Sequence, residues 1–305
     1  MLSPSYTGQL AALGAATCWA FSALAFETAG KRIGALTLNL IRLVIAFSFL
    51  CVGAWIARGV PLPVDASPHA WLWLAVSGLV GFVFGDLCLF RAFLLIGSRL
   101  SMLLMSLAPV LTAVIGWMVL GETLNGRDLV GMTLTVTGIA WAVLERKKPS
   151  SSEGGALPNR HRPPWAGIAL GFGGALGQAG GLVLSKLGMG SYHAFAATQI
   201  RVIAGMAGYV VLYFALRWWR RVWPALRDTP ALGFASIGAF FGPFLGVSLS
   251  LIAVRHTVAG VAASIMALTP VLIIPLTVLL RRERVGIGGV LGALVAVAGV
   301  AILFL

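Results

Sequence analysis

One acidic side chain stands apart from the others. Asp86 lies well inside an apolar stretch (71–96), whereas the other eight acidic residues sit near the ends of such stretches or in the polar segments between them. An ionisable group in a bilayer core costs at least about 2.5–3.5 kcal/mol on insertion scales, so it is kept facing a cavity or a partner. A carboxylate there can bind and release a proton, which is the chemistry needed to couple solute movement to a proton gradient. The competing reading is a structural ion pair with Arg91. The two are five positions apart, about 140° around an ideal helix, so direct contact needs a bend or favourable rotamers. Arg91 also has two readings of its own. It can hold an anionic group such as a substrate carboxylate, or it can snorkel to the membrane surface.

Other candidates are arranged around these. Trp19, Ser22, Gln178, Phe240 and Phe241 fall near the middle of apolar stretches. An aromatic ring and an amide there would hold an organic solute; the alternative is packing or lipid contact. Pro109 and Pro270 each interrupt an apolar stretch, where proline frees a carbonyl and permits a kink, either a gating hinge or a static bend. Arg42 and Arg201 lie near the starts of their stretches and are expected to anchor helix ends. Glu122 and Glu283 lie beside basic residues at helix ends and are expected to form interfacial salt bridges. His69, His161, His193 and His256 are scattered, and no zinc motif, nucleophile elbow or phosphate loop is present. Neither an enzyme, a metal site nor a cofactor is expected, and ATP-driven transport by this chain alone is disfavoured.

Helices in a membrane must position these groups. The chain is 59% hydrophobic and 10% charged, with mean hydropathy +0.96. Runs of about 20 apolar residues recur throughout, long enough to cross a bilayer. They are continuously apolar rather than alternating, which selects helices over a barrel. Ten spans are expected at about 8–26, 37–57, 71–96, 98–119, 128–144, 165–187, 195–216, 230–252, 257–280 and 286–304. Cys18, Cys51 and Cys88 all lie in these runs and suggest no disulfide framework. The first run lacks a basic leader and reads as an uncleaved span.

The spans fall into two sets. Met105, Ala108-Pro109-Val110, Glu122, Gly131 and Gly138 recur as Met266, Thr269-Pro270-Val271, Glu283, Gly292 and Gly299, all at an offset of 161. Gly8, Gly14 and Ile41-Arg42 recur as Gly167, Gly173 and Ile200-Arg201 at an offset of 159. Trp19 then corresponds to Gln178. Between the copies lies a polar segment, 145–164, rich in charge, Ser, Gly and Pro, expected to be a flexible basic linker. The domains are thus 1–144 and 165–305. Five spans per copy is an odd number, so the copies must be inverted in the membrane, an arrangement that builds secondary transporters with a site at the repeat interface. Net charge is +13, but the basic residues sit in short loops, which points to membrane orientation rather than nucleic acid. Fifteen lie in odd-numbered loops and four in even ones. The positive-inside rule puts the odd loops in the cytoplasm and both termini outside. Glycines spaced by four (81/85, 173/177/181, 238/242/246, 288/292) suit close helix packing or sliding surfaces.

The Pro109…Gly121-Glu122…Gly131…Gly138 pattern and its echo Pro270…Glu283…Gly292…Gly299 resemble those of the drug/metabolite transporter superfamily, specifically EamA-type transporters. Trp19-Ala20 stands where that family has a Trp-Gly pair, and Arg42 and Arg201 match family arginines. Gln178 in place of tryptophan and Arg282-Glu283 in place of Gly-Glu depart from it. The resemblance implies an all-α integral membrane protein of ten helices in two inverted repeats, with a central cavity lined mainly by spans one, three, four, six, eight and nine. It also implies cytoplasmic termini, against the charge count. The expected function is secondary transport, in the export direction by resemblance, of a small organic metabolite or drug-like solute by alternating access in a bacterial inner membrane. A non-transporting scaffold or sensor and a lipid flippase are the alternatives. Expected partners are a small-molecule substrate, membrane lipid and a proton, with no nucleic acid, and the protein would act as a monomer or homodimer.

Overall fold

A computed structural model describes residues 4–145, 164–281 and 286–305. The regular secondary structure of the described residues is all helical, without strands. The helices are α1 (Pro4–Ile33), α2 (Ala35–Arg58), α3 (Pro68–Gly78), α4 (Asp86–Met105), α5 (Ala108–Leu120), α6 (Gly126–Glu145), α7 (Pro164–Met189), α8 (Ala194–Ala215), α9 (Val222–Ala225), α10 (Thr229–Ala239), α11 (Val247–His256), α12 (Ala259–Met266), α13 (Thr269–Arg281) and α14 (Ile287–Leu303). Among the described residues, nine helical stretches are long and apolar enough to cross a bilayer. A tenth, α14, is a shorter apolar helix; its 17 residues reach about 25 Å, the lower limit for a span. Most of the linker and Glu283 lie outside the described residues.

Local signals set the boundaries. Gly34 separates α1 from α2 at φ +80°, and Gly121 ends α5 at φ +67°, left-handed conformations that L side chains resist. The Ser67 hydroxyl accepts from the Ala70 N–H at 3.2 Å ahead of Pro68, and the Asp228 carboxylate accepts from the Ala231 N–H at 3.0 Å ahead of Pro230. Both are N-caps that satisfy helix donors otherwise left open. The turn between the third and fourth spans falls inside α4: Gly167 of α7 meets Leu95 and Ile96, whereas Gly171 meets Leu104, so the chain has reversed between them.

The duplication extends to secondary structure. α3 continues into α4 through a π-helical turn, Leu79–Gly85, and α10 into α11 through a second, Phe240–Gly246. Every boundary shifts by the same 161 residues: 68 to 229, 79 to 240 and 86 to 247. Pro243 explains the second turn, since it supplies no N–H to the preceding helical turn. In the first, Gly81 and Gly85 let the helix cross α7 backbone to backbone. A Cβ built on Gly181 would lie 3.0 Å from the Gly81 Cα, and one built on Gly177 would lie 2.6 Å from the Gly85 Cα. Close approach without side chains maximises dispersion contact where no hydrophobic effect drives association.

The four repeated glycines meet at one crossing of α6 and α14. A Cβ on Gly138 would be 2.7 Å from the Gly292 carbonyl oxygen, and one on Gly299 would be 2.7 Å from that of Gly131. Exchanging the repeats turns the pair Gly131–Gly299 into Gly292–Gly138, so this crossing is self-mated about the pseudo-two-fold axis. At one face Gln9 donates to the Leu303 carbonyl at 2.6 Å, joining the start of α1 to the end of α14.

Candidate functional site

The two repeats enclose a cavity of about 390 Å³, within the usual size range of small-molecule sites. Its wall is mainly apolar, with Phe26, Phe82, Met105, Ile139, Leu182 and Met266, and it is broken by a few polar groups.

Asp86 is the centre of the polar part. It is the first residue after the π turn, and the extra residue of such a turn rotates the rest of the helix by about 100°. One carboxylate oxygen pairs with the Arg42 guanidinium of α2. The other accepts from Gln178 Nε2 of α7 at 3.3 Å. Both side chains of the ion pair are largely withdrawn from solvent, 16% exposed for Arg42 and 10% for Asp86. Arg42 also lies over the Phe26 ring, 5.3 Å from its centroid, a cation–π contact. The turn itself is pinned: the Tyr209 hydroxyl donates to the Phe82 carbonyl at 2.8 Å and accepts from Asn39 Nδ2 at 3.0 Å. The second π turn is approached from α1, where the Ser22 hydroxyl donates to the Gly238 carbonyl at 2.9 Å and Trp19 packs on Gly246.

Trp19, Ser22, Arg42, Asp86, Pro109, Gln178, Arg201 and Pro270 therefore line one cavity. Spans two, five and seven join the six expected to line it, through Arg42, Ile139 and Arg201. The partner of Asp86 is Arg42, not Arg91. Arg91 is exposed outside the cavity, because the geometry of α4 turns it away from the face that carries Asp86. Phe240 and Phe241 are also outside the lining. Phe240 meets Phe49 edge-on at 5.4 Å and Phe241 meets Phe21 at 5.5 Å, ring contacts between helices. Pro109 and Pro270 each follow a two-residue interruption within one membrane-spanning stretch. Each is the second residue of a new helix, α5 or α13, following a break at 106–107 or 267–268, a position where the missing N–H costs nothing.

Glu122 closes one end of the molecule. It pairs with Lys186 of α7 and accepts from the Ala259 N–H at 2.8 Å at the start of α12, while Lys186 donates to the Thr257 carbonyl at 2.6 Å. A carboxylate of the first repeat thus joins two elements of the second. On the same face, Asp65 pairs with Arg58 and accepts from the Tyr192 hydroxyl at 2.8 Å. The hydrogen bonds from Arg58 and then Tyr192 hold the Asp65 carboxyl below its ordinary value. Burial, then Asp65, push the Tyr192 phenol up to about 12. Phe82 and Thr112, which both line the cavity, did not stand out in the sequence, since an aromatic and a hydroxyl on an apolar helix are indistinguishable from core; the Gly81/Gly85 spacing beside Phe82 was the available signal.

Comparison with known proteins places this architecture. A family model described as the EamA-like transporter family matches residues 6–144 and again 165–305. The threonine/homoserine exporter RhtA of Salmonella typhimurium is 30% identical over 149 residues, 47% of this chain and 48% of the relative. The Escherichia coli K12 exporter of the same name is 29% identical over the same length. The chain therefore aligns with about half the length of these curated relatives. A solved crystal structure superposes with a TM-score of 0.74 at 17% identity, covering 97% of this chain and 96% of the other, which shows a shared fold. With two matched repeats, and nine span-length apolar helices and a shorter one among the described residues, the chain belongs to the EamA-like transporter family and is a multi-pass bacterial inner-membrane protein.

Proposed function

We propose that the protein is a secondary active exporter of a small organic metabolite, of amino-acid size, working by alternating access with protons as the coupling ion. The observation that carries this reading is the buried Arg42–Asp86 pair in the wall of a cavity shared by both repeats. A carboxylate kept in a bilayer core at a cost of at least about 2.5–3.5 kcal/mol calls for a role there. Deprotonated, Asp86 holds Arg42 and Gln178 in place. Protonation removes its charge and releases both, so the cavity has two arrangements that a proton selects between. Residues 1–144 and 165–305 are the two moving bodies, joined by the 145–164 linker. The helix breaks before Pro109 and Pro270 are the hinges, and the Glu122–Lys186–Ala259 network holds one face shut. The charge bias supports the odd loops, including Lys31, Arg32, Arg220, Arg221 and Arg227, as the cytoplasmic side. Amino-acid-sized cargo is supported by the cavity volume and by relatives that export threonine and homoserine. The cavity is complete in one chain, so a monomer suffices and a homodimer would carry two sites in contact with membrane lipid.

Proteoliposomes preloaded with unlabelled threonine, homoserine and other amino acids, then given trace labelled solute, test this reading. Saturable counterflow above empty liposomes is expected. Counterflow no greater than that of empty liposomes for every solute contradicts it.

A further inference from the structure

We propose that Arg201 is the carboxylate-binding residue of the cavity, and that the carboxylate of the transported solute sits beside Arg201 in the position equivalent to the one that Asp86 fills beside Arg42. The inference rests on the cavity being the solute site and names the substrate class as an organic carboxylate.

The argument begins with the repeat. Arg42 and Arg201 are equivalent at the 159 offset, and Asp86 is equivalent to Val247 at 161. Asp86 and Val247 are each the first residue after a π turn. The first repeat therefore pairs its guanidinium with a carboxylate, whereas in the second the position equivalent to that carboxylate is a valine. α8 and α11 are in contact here, since the Ser248 hydroxyl donates to that of Thr198 at 3.3 Å, one residue from Val247 and one turn from Arg201.

Arg201 has nothing in place of the missing acid. It is 6% exposed, and its side chain takes part in no ion pair with a described residue. Its Nε is buried without a hydrogen-bond partner. Its guanidinium lies over the face of Phe82, 5.0 Å from the ring centroid, with Nη2 3.5 Å from the Cβ position of Gly81. A guanidinium stays charged in proteins and carries five N–H donors. A ring face offsets part of the cost of burying that charge but satisfies none of the donors in their plane. The residue lines the cavity together with Val247 and Ser250. A planar fork of donors, buried and unpaired at a cavity wall, matches a carboxylate by two parallel hydrogen bonds. The surrounding Phe26, Phe82, Met105 and Met266 suit a small apolar body attached to it.

The test is equilibrium binding to the full chain in nanodiscs, with acid–amide pairs as probes: L-threonine against L-threoninamide, L-leucine against L-leucinamide, and 4-methylpentanoate against 4-methylpentanamide. Wild type is expected to bind at least one acid about tenfold or more tightly than its amide, the size of effect that one charge-assisted contact provides. Arg201→Gln loses that preference, and Arg201→Lys keeps part of it. Val247→Asp supplies the missing acid in place, abolishes binding of the acid, and leaves the thermal midpoint at or above that of wild type. Equal affinity for acid and amide in wild type, or a preference that survives Arg201→Gln, overturns the proposal. If Arg201→Gln fails to fold, undiminished acid binding by folded Val247→Asp overturns it instead. Binding is measured without transport, so the two readings fail separately. Absent counterflow with the acid preference intact defeats the transporter mechanism, and counterflow without the preference defeats only the role of Arg201.

Discussion

Arg42 of α2 and Asp86 of α4 form a buried ion pair across 44 residues of sequence, and their counterparts in the second repeat, Arg201 and Val247, do not. The fold is duplicated while the charge arrangement is not. Removing one partner of a buried pair leaves the other uncompensated, at a cost of about 3–5 kcal/mol. Arg42→Met and Asp86→Leu should each lower stability by about that amount, and the double substitution should recover much of it. Denaturant unfolding in detergent, read as a double-mutant cycle, measures the coupling; additive losses would show that the two side chains act independently.

The α6–α14 crossing predicts opposite effects of added carbon at different glycines. Gly138→Leu inserts a side chain where a Cβ would already lie 2.7 Å from the Gly292 carbonyl, and should cost about 1–3 kcal/mol or more through overpacking. Gly233 of α10 has nothing within 4 Å of its Cβ position, so Gly233→Ala should be neutral or stabilise by up to about 1 kcal/mol through helix propensity. Thermal midpoints of the two variants against wild type decide this.

The Asp65 cluster sets a pH dependence at one face. Asp65 is held below its ordinary value of 3.8, so its contribution is present above that value and is lost as pH falls through the lower folded value. Tyr192 is raised from 10.0 to about 12, so its contribution is present below 10.0 and is lost as pH rises towards 12. Between these limits the cluster should contribute evenly. The acid limb of a plot of thermal midpoint against pH should be shallower in Asp65→Asn than in wild type, by a small margin because the carboxylate faces solvent. Identical limbs would remove Asp65 from the explanation.

Glu122 serves two partners, so two substitutions separate them. Glu122→Gln keeps an acceptor for the Ala259 N–H and loses the charge opposite Lys186; Glu122→Ala loses both. A neutral hydrogen bond contributes about 0.5–1.5 kcal/mol, so the alanine variant should be less stable than the glutamine variant by about that range. Parallel unfolding curves measure it, and equal stabilities would show that the Ala259 contact contributes nothing.

Much of this architecture is legible in the sequence because membrane helices are defined by length and apolarity, and a duplication shows as constant offsets. Gly131, Gly138, Gly292 and Gly299 stood at one offset and meet at one crossing. Asp86 was visible as the lone acid within a span. Its partner was not, since spacing along one helix ranks Arg91 and says nothing about a residue on α2. Phe240 and Phe241 looked like cavity rings because an apolar helix gives no polar face to show which side packs on its neighbours. The prolines were visible as mid-span residues, but the two-residue interruptions before them depend on local capping; Ser106, for example, turns its hydroxyl back to the Leu103 carbonyl at 2.6 Å. The paired π turns had a signal, the recurrent Gly81/Gly85 and Gly242/Gly246, whose meaning lay in what crosses them.

Proton movement in proteoliposomes tests the proposed coupling most directly. A pH-sensitive dye inside the vesicles would report wild type and Asp86→Asn side by side while threonine, homoserine and further amino acids are added in turn. A solute-dependent proton signal in wild type, absent in a folded Asp86→Asn protein that still binds solute, is the predicted result. A signal of equal size in both would contradict coupling through Asp86.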